Sequence, residues 1–296
     1  MRQHVEQIAD VESLLATSGY VGDHAIATAI FLAMRLRRPL LVEGHAGVGK
    51  TEIAKVLARA LATDLIRLQC YEGLDDAASL YEWNYPKQIL RIRMEEHAAH
   101  EADDTEARIF DEAYLLERPL LRALRHGGSP VLLIDEIDRA DEEFEAFLLE
   151  VLSDYQVSIP EIGTIRAEHP PYVVLTSNRV RELGDALRRR CLYLWIDYPS
   201  LAKELSIVQA KVPGIDAQLA GQLCRFVEAL RTTELDKRPG VAETLDWAQA
   251  LVELHVEHLS PDIARATLGC VAKTKRDTEL VLRKLPELFN QTQRTA

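Results

Sequence analysis

The stretch Gly44-His-Ala-Gly-Val-Gly-Lys-Thr51 decides how this 296-residue chain is read. It satisfies the pattern G-x-x-x-x-G-K-[ST] in full. It leaves a short apolar run, Leu40-Leu-Val42, and enters residues with helical spacing. Gly44, Gly47 and Gly49 permit a turn in which backbone N–H groups and a helix N-terminus face phosphate oxygens. Residues Gly44, His45, Ala46, Gly47, Val48 and Gly49 then line a nucleotide's phosphates. Lys50 reaches the β- and γ-phosphates, and Thr51 offers a hydroxyl to Mg2+.

Outward from the loop, strands and helices alternate. Strands are expected at 40–43, 65–69, 130–134, 171–176 and 192–196, and helices at 50–62, within about 75–126, at 141–153 and at 180–189. Continuous apolar strands between helices imply a parallel sheet covered on both faces. Upstream, helical spacing covers 4–18, where Gly19 stops it, and Asp23 can cap a second helix running to about Arg37. After Pro199 only helices are expected, at 201–212, 216–233, 241–259 and 261–285, with breakers at Pro213-Gly214, Pro239-Gly240 and Ser260-Pro261. The expected organisation is an αβα domain over 1–199 and a helical domain over 200–296. Residues 156–166 alternate around Glu161 to Gly163 and read as a β-hairpin without an obvious core partner. It is either a surface flap or a device that touches a substrate.

Two further apolar strands end in chemistry. Val131-Leu-Leu-Ile-Asp-Glu136 carries two carboxylates to the C-terminal edge of a central strand, where ligands of open α/β sheets bind. Asp135 would hold the Mg2+ shell, and Glu136 would polarise a water for in-line attack on the γ-phosphate. Val173-Val-Leu-Thr-Ser-Asn178 ends in an amide that could position that water. From Ile134 to Asp154 there are nine acids and one Arg, most of them expected on the solvated face of a helix. Arg181–Arg190 carries four Arg and two acids, either solvated or placed to reach a neighbouring subunit's site.

Composition narrows the function classes. A net charge of −12 argues against a whole-surface nucleic-acid or anionic-membrane binder. Cys70, Cys191, Cys224 and Cys270 form no CxxC pair, so they read as small buried apolar residues. The N-terminus lacks the layout of a signal peptide. The longest uncharged apolar run, Ala25 to Met34, falls well short of the about 20 residues that a membrane span needs. A cytoplasmic protein is expected.

Taken together, these motifs and their order resemble the AAA+ ATPases, and within them the MoxR-type branch. The similarity covers nearly the whole chain: phosphate loop, Asp-Glu strand, sensor Asn, Arg finger and helical lid. The hairpin at 156–166 resembles that branch's insertion before the sensor strand, and residues 77–93 resemble its insertion in the second helix. The stretches Leu68-Gln-Cys-Tyr-Glu-Gly73, Tyr81-Glu-Trp-Asn-Tyr85, 144–154 and Arg189-Arg-Cys-Leu-Tyr193 are similar to members linked to maturation of molybdenum hydroxylases such as carbon monoxide dehydrogenase.

The resemblance implies a P-loop NTPase fold with a five-stranded parallel sheet and an all-helical C-terminal lid. It implies a homo-oligomeric ring, a hexamer, with ATP between subunits, a von Willebrand A-domain adaptor and a client metalloenzyme. It gives Arg190, with Arg189 second, the role of the finger acting in trans, and puts Val21 and Gly22 against adenine. The lid position where the family carries a phosphate-sensing Arg falls here on Ala242 or Glu243, with Arg238 as the substitute. Two other readings use the same core. A DNA-processing motor or loader would need a basic groove, and the chain offers only Arg35-Leu-Arg-Arg38 and the Arg run. A nucleotide-gated scaffold would not need Glu136.

Overall fold

The run Leu40–Gly44 (β1) and the run Val131–Asp135 (β5) are buried at every position, as strands covered on both faces must be. The computed structural model describes residues 5–95 and 110–294. With Leu65–Gln69 (β2), Tyr172–Ser177 (β8) and Leu192–Ile196 (β9), these strands form a five-stranded sheet in the order β2-β5-β8-β1-β9. The ladders β2/β5, β5/β8 and β1/β8 are parallel. Register sets the chemistry: Gln69 lies opposite Asp135, and Glu43 opposite Ser177. The polar ends of β2, β5, β8 and β1 therefore share one sheet edge.

The chain folds as two compact units. The first comprises the N-terminal residues to Glu12, His24–Glu43 and Thr51–Leu194; the second comprises Ser13–Asp23, Gly44–Lys50 and the residues from Trp195 onward. One core of the first unit joins Ile66 and Leu68 of β2, Leu132 and Ile134 of β5, Val173 and Leu175 of β8, and Phe144, Leu148 and Val151 of the helix Glu142–Asp154. The core of the second unit is helical, built on Phe226 and Trp247, whose rings meet edge to face at 5.5 Å.

Several expectations are corrected. The hairpin does form, with Gln156–Ile159 (β6) antiparallel to Gly163–Arg166 (β7), but it is no free flap. Val157 and Ile159 alternate inward and are buried in the first unit's core, while Tyr155, Ile162 and Ile165 pack against it. The stretch 75–126 is not all helix. Tyr81–Trp83 (β3) pairs antiparallel with Leu115–Glu117 (β4) between the helices Asp76–Ser79, Tyr85–Glu95 and Pro119–Leu124. Part of that stretch, 96–109, lies outside the described residues. The helix expected from 180 begins only at Asp185: the Gly184 N–H, which a helix from 180 would direct to the Val180 carbonyl, donates to Glu145 instead, and Asp138 holds the N–H groups of Asn178 and Val180 in the loop before it. The single helix expected over 261–285 is two, Pro261–Thr267 and Lys275–Arg294. Thr274 starts the second by accepting the Asp277 N–H at 3.0 Å.

Candidate nucleotide and hydrolysis site

The phosphate loop leaves β1 at Gly44, where the chain runs so close to β9 that a Cβ would sit 2.1 Å from the Ile196 carbonyl oxygen. Gly47 has φ +74°, in the left-handed region that only glycine enters freely. Lys50 is buried, and its Nζ donates to the carbonyls of Gly44 at 2.9 Å and His45 at 2.6 Å. The ammonium is thus held inside the loop that would receive phosphates. The His45 ring stacks on Tyr198, with centroids 4.6 Å apart.

The loop is also met by the start of the helix Val241–Glu253. The Ala242 N–H donates to the Gly47 carbonyl at 3.1 Å. A Cβ on Gly240 would lie 2.7 Å from the Ala46 carbonyl oxygen. Glu243 accepts the Gly240 N–H at 2.9 Å, so its carboxylate caps its own helix. Arg238 is exposed just before this turn. Burial pushes the Tyr198 phenol up, while the charges of Arg231 and Arg238 oppose the shift. The turn is braced by a buried ion pair, Arg231 to Glu204 at 2.6 Å, with Arg231 also donating to the Pro239 carbonyl at 2.8 Å. Val21 and Gly22 belong to the same compact unit as the loop, and Asp23 beside them pairs with Lys203 at 2.7 Å.

The first unit carries the carboxylates. Asp135 is buried and fully engaged. Its Oδ1 accepts from Thr51 at 2.9 Å and Thr176 at 2.6 Å, and its Oδ2 accepts from Arg67 Nε at 3.0 Å and Nη2 at 2.6 Å. Glu136 has φ +56° and is held in that turn by its N–H donating to Thr176 at 2.9 Å. Three donors surround its carboxylate: Gln69 Nε2 and Arg139 Nη1, each at 3.1 Å, and Asn178 Nδ2 at 3.4 Å. Asn178 is placed by Asp138, whose Oδ2 accepts the N–H groups of Asn178 at 3.1 Å and Val180 at 2.8 Å.

The structure thus brings Thr51, Asp135, Glu136 and Asn178 together. The donor set is hard oxygen, a hydroxyl and a carboxylate on one oxygen atom's contact, and a guanidinium already stands on that carboxylate as a cation. The oxygen donors fit Mg2+, which binds through one or two carboxylates, waters and substrate phosphates. When bound, the metal neutralises charge on the phosphates.

Several neighbours of the site differ from what the sequence leads one to expect. Asp138 and Glu145, expected among solvated acids, are buried and fix the Asn178–Gly184 loop. Of the Arg run, Arg181 ties down the same loop through the Ala140 carbonyl at 2.8 Å, and Arg188 pairs with the buried Glu43 at 3.0 Å. Arg189 and Arg190 are exposed, and their side chains make no hydrogen bond or ion pair among the described residues. Arg67, Gln69 and Thr176 join the site without a role in it that the sequence assigns them. The signal for the first two was present: β2 alternates buried Ile66 and Leu68 with Arg67 and Gln69.

A five-stranded parallel sheet, a glycine-rich loop ending in Lys-Thr, and an Asp-Glu pair on the next strand but one define a phosphate-loop NTPase. The family model described as the AAA domain (dynein-related subfamily) matches residues 39–191, and the chain belongs to that family. It is therefore an ATP-hydrolysing enzyme of the AAA+ class, which uses ATP with Mg2+. An uncharacterized protein of Staphylococcus haemolyticus is 27% identical over 237 residues, covering 77% of this chain and 80% of that protein. One from Staphylococcus aureus is 26% identical over 232 residues, covering 74% and 77%. Among solved structures, a point mutant of Thermotoga maritima RuvB aligns with TM-score 0.50 and 18% identity, covering 97% of this chain and 79% of that one. That likeness concerns the fold alone. Among the described residues, no helix is long and apolar enough to cross a membrane.

Proposed function

We propose that the chain is a MoxR-type remodelling ATPase, similar to CoxD, that acts in metal-cofactor maturation of a molybdenum hydroxylase such as carbon monoxide dehydrogenase. The observation that carries the ATPase half is the Glu136 carboxylate, held between Gln69, Arg139 and Asn178 beside the Thr51–Asp135 contact. In this reading residues 44–49 bind the phosphates and Lys50 moves from the loop carbonyls to the β- and γ-phosphate oxygens. Thr51 and Asp135 hold Mg2+. Glu136 takes the proton of the attacking water and Asn178 orients it. Val21 and Gly22 contact adenine, and Arg238 senses nucleotide from the turn before the lid helix. The chain divides functionally near residue 199 into ATPase and lid.

AAA+ proteins commonly form oligomeric rings. A hexamer fits the exposed guanidinium groups of Arg189 and Arg190, which have no ion pair among the described residues, with Arg190 acting on the neighbouring subunit's ATP. A von Willebrand A-domain adaptor would recruit the client. The sequence similarity described above supports this half. Reconstitution tests it: cofactor-deficient molybdenum hydroxylase should gain activity when given this protein, the adaptor and Mg-ATP, and not with a non-hydrolysable ATP analogue. Equal gain without hydrolysis would sink the maturation role.

A further inference from the structure

Asp135 has room for about four hydrogen-bond donors, two on each oxygen, and four are already in place. Thr176 is buried, and its 2.6 Å contact is part of the turn that sets Glu136. Thr51 contributes an oxygen that belongs to the metal-binding set itself. Arg67 differs from both. It takes Oδ2 with two nitrogens, its side chain is 52% exposed, and a long flexible stem lets it swing into solvent. Its other contact is Gln69 Oε1, and Gln69 in turn donates to Glu136. Among the described residues, no other cation pairs with Asp135.

We infer that Arg67 is a resident counter-cation of Asp135 that must be displaced before the carboxylate serves magnesium, so that Arg67 sets the metal concentration at which nucleotide is held. This rests on the reading of Asp135 as a metal-holding group. A guanidinium on a buried carboxylate removes the cost of leaving that charge unpaired. It therefore keeps the empty site folded, and it competes for the oxygen that metal needs. Release of Arg67 also frees Gln69 Oε1, so that occupancy at Asp135 is passed to the amide that holds Glu136.

The test is a metal titration that needs no turnover. Binding of a fluorescent ADP analogue is followed against Mg2+ for the parent, Arg67→Ala and Arg67→Lys. If the pair is formed about nine times in ten, its removal lowers the half-saturating Mg2+ about tenfold, by the population tax on a competent state. Arg67→Lys, which keeps a charge but loses the two-pronged contact, falls between. In metal-free buffer Arg67→Ala melts below the parent, and added Mn2+ without nucleotide raises its melting temperature more than the parent's. An unchanged or increased metal requirement in Arg67→Ala overturns the inference. So does a shift that persists when Arg67→Ala is combined with Asp135→Asn, since the competition would then not be for that carboxylate. The Mn2+ arm separates this from the functional reading. If the parent bound no nucleotide, the ATPase assignment would fail, while the Mn2+ comparison would still decide the role of Arg67.

Discussion

The residues with the tightest constraints here are those with least freedom to be anything else. A methyl group at position 44 would overlap the Ile196 carbonyl, 2.1 Å away, which is backbone and not the flexible end of a side chain. Gly44→Ala should therefore cost at least about 1–3 kcal/mol, and thermal melting would show it as an unmistakable drop. Asp138 illustrates a quieter constraint. It is a buried carboxylate whose work is to accept two backbone N–H groups of the loop that precedes the helix at Asp185. Asp138→Ala leaves both donors without an acceptor, at about 1–3 kcal/mol each. It also releases Asn178 from its place beside Glu136. The expected signature is a lower melting temperature together with slower ATP turnover and unaltered nucleotide affinity. Normal turnover would mean that Asn178 needs no such support.

At the level of elements, strand ends were legible in the sequence and strand neighbours were not. An apolar run that stops at Gly44, at Asp135-Glu136 or at Asn178 announces its own C-terminal edge. Which strand lies beside which is set by the right-handed crossovers of the whole sheet. Arg67 reaches Asp135 only because β2 lies next to β5 in a register that pairs Gln69 with Asp135. No spacing along one chain encodes that. The hairpin shows the opposite failure: its inward alternation, Val157 and Ile159, was plain in the sequence, but the core that receives it comes from distant elements. Because Ile159 is fully buried, Ile159→Ala should destabilise by about 2–5 kcal/mol, whereas a free flap would tolerate it. In the helical unit, burial raises the Asp277 carboxyl, but the N–H groups of Asp236 and Lys237, Thr274 and the Arg276 charge outweigh it and hold it below the usual range. A depressed native value stabilises above the unfolded carboxylate's value of about 3.9 and is lost as pH falls through the native one. Asp277→Asn should accordingly flatten the loss of stability below about pH 4 in acid melts.

For the whole molecule, the distribution of charge matters more than its total. The net −12 excludes little beyond bulk nucleic-acid binding, whereas the folded chain shows which charges are already paired. Arg181 and Arg188 neutralise buried acids within the chain, and Arg189 and Arg190 are exposed. If Arg190 completes a neighbour's site, Arg190→Ala and Lys50→Ala should each be nearly inactive alone and recover part of the parent rate when mixed. No recovery at any ratio would remove the trans assignment. The central claim is narrower and can be tested on the isolated protein: Glu136, held by Gln69, Arg139 and Asn178, is the base for Mg-ATP hydrolysis. Steady-state phosphate release and ATP affinity should be measured for the parent and Glu136→Gln. The account predicts unchanged affinity with turnover reduced by about 10²–10⁴-fold. Hydrolysis by Glu136→Gln at the parent rate would contradict it.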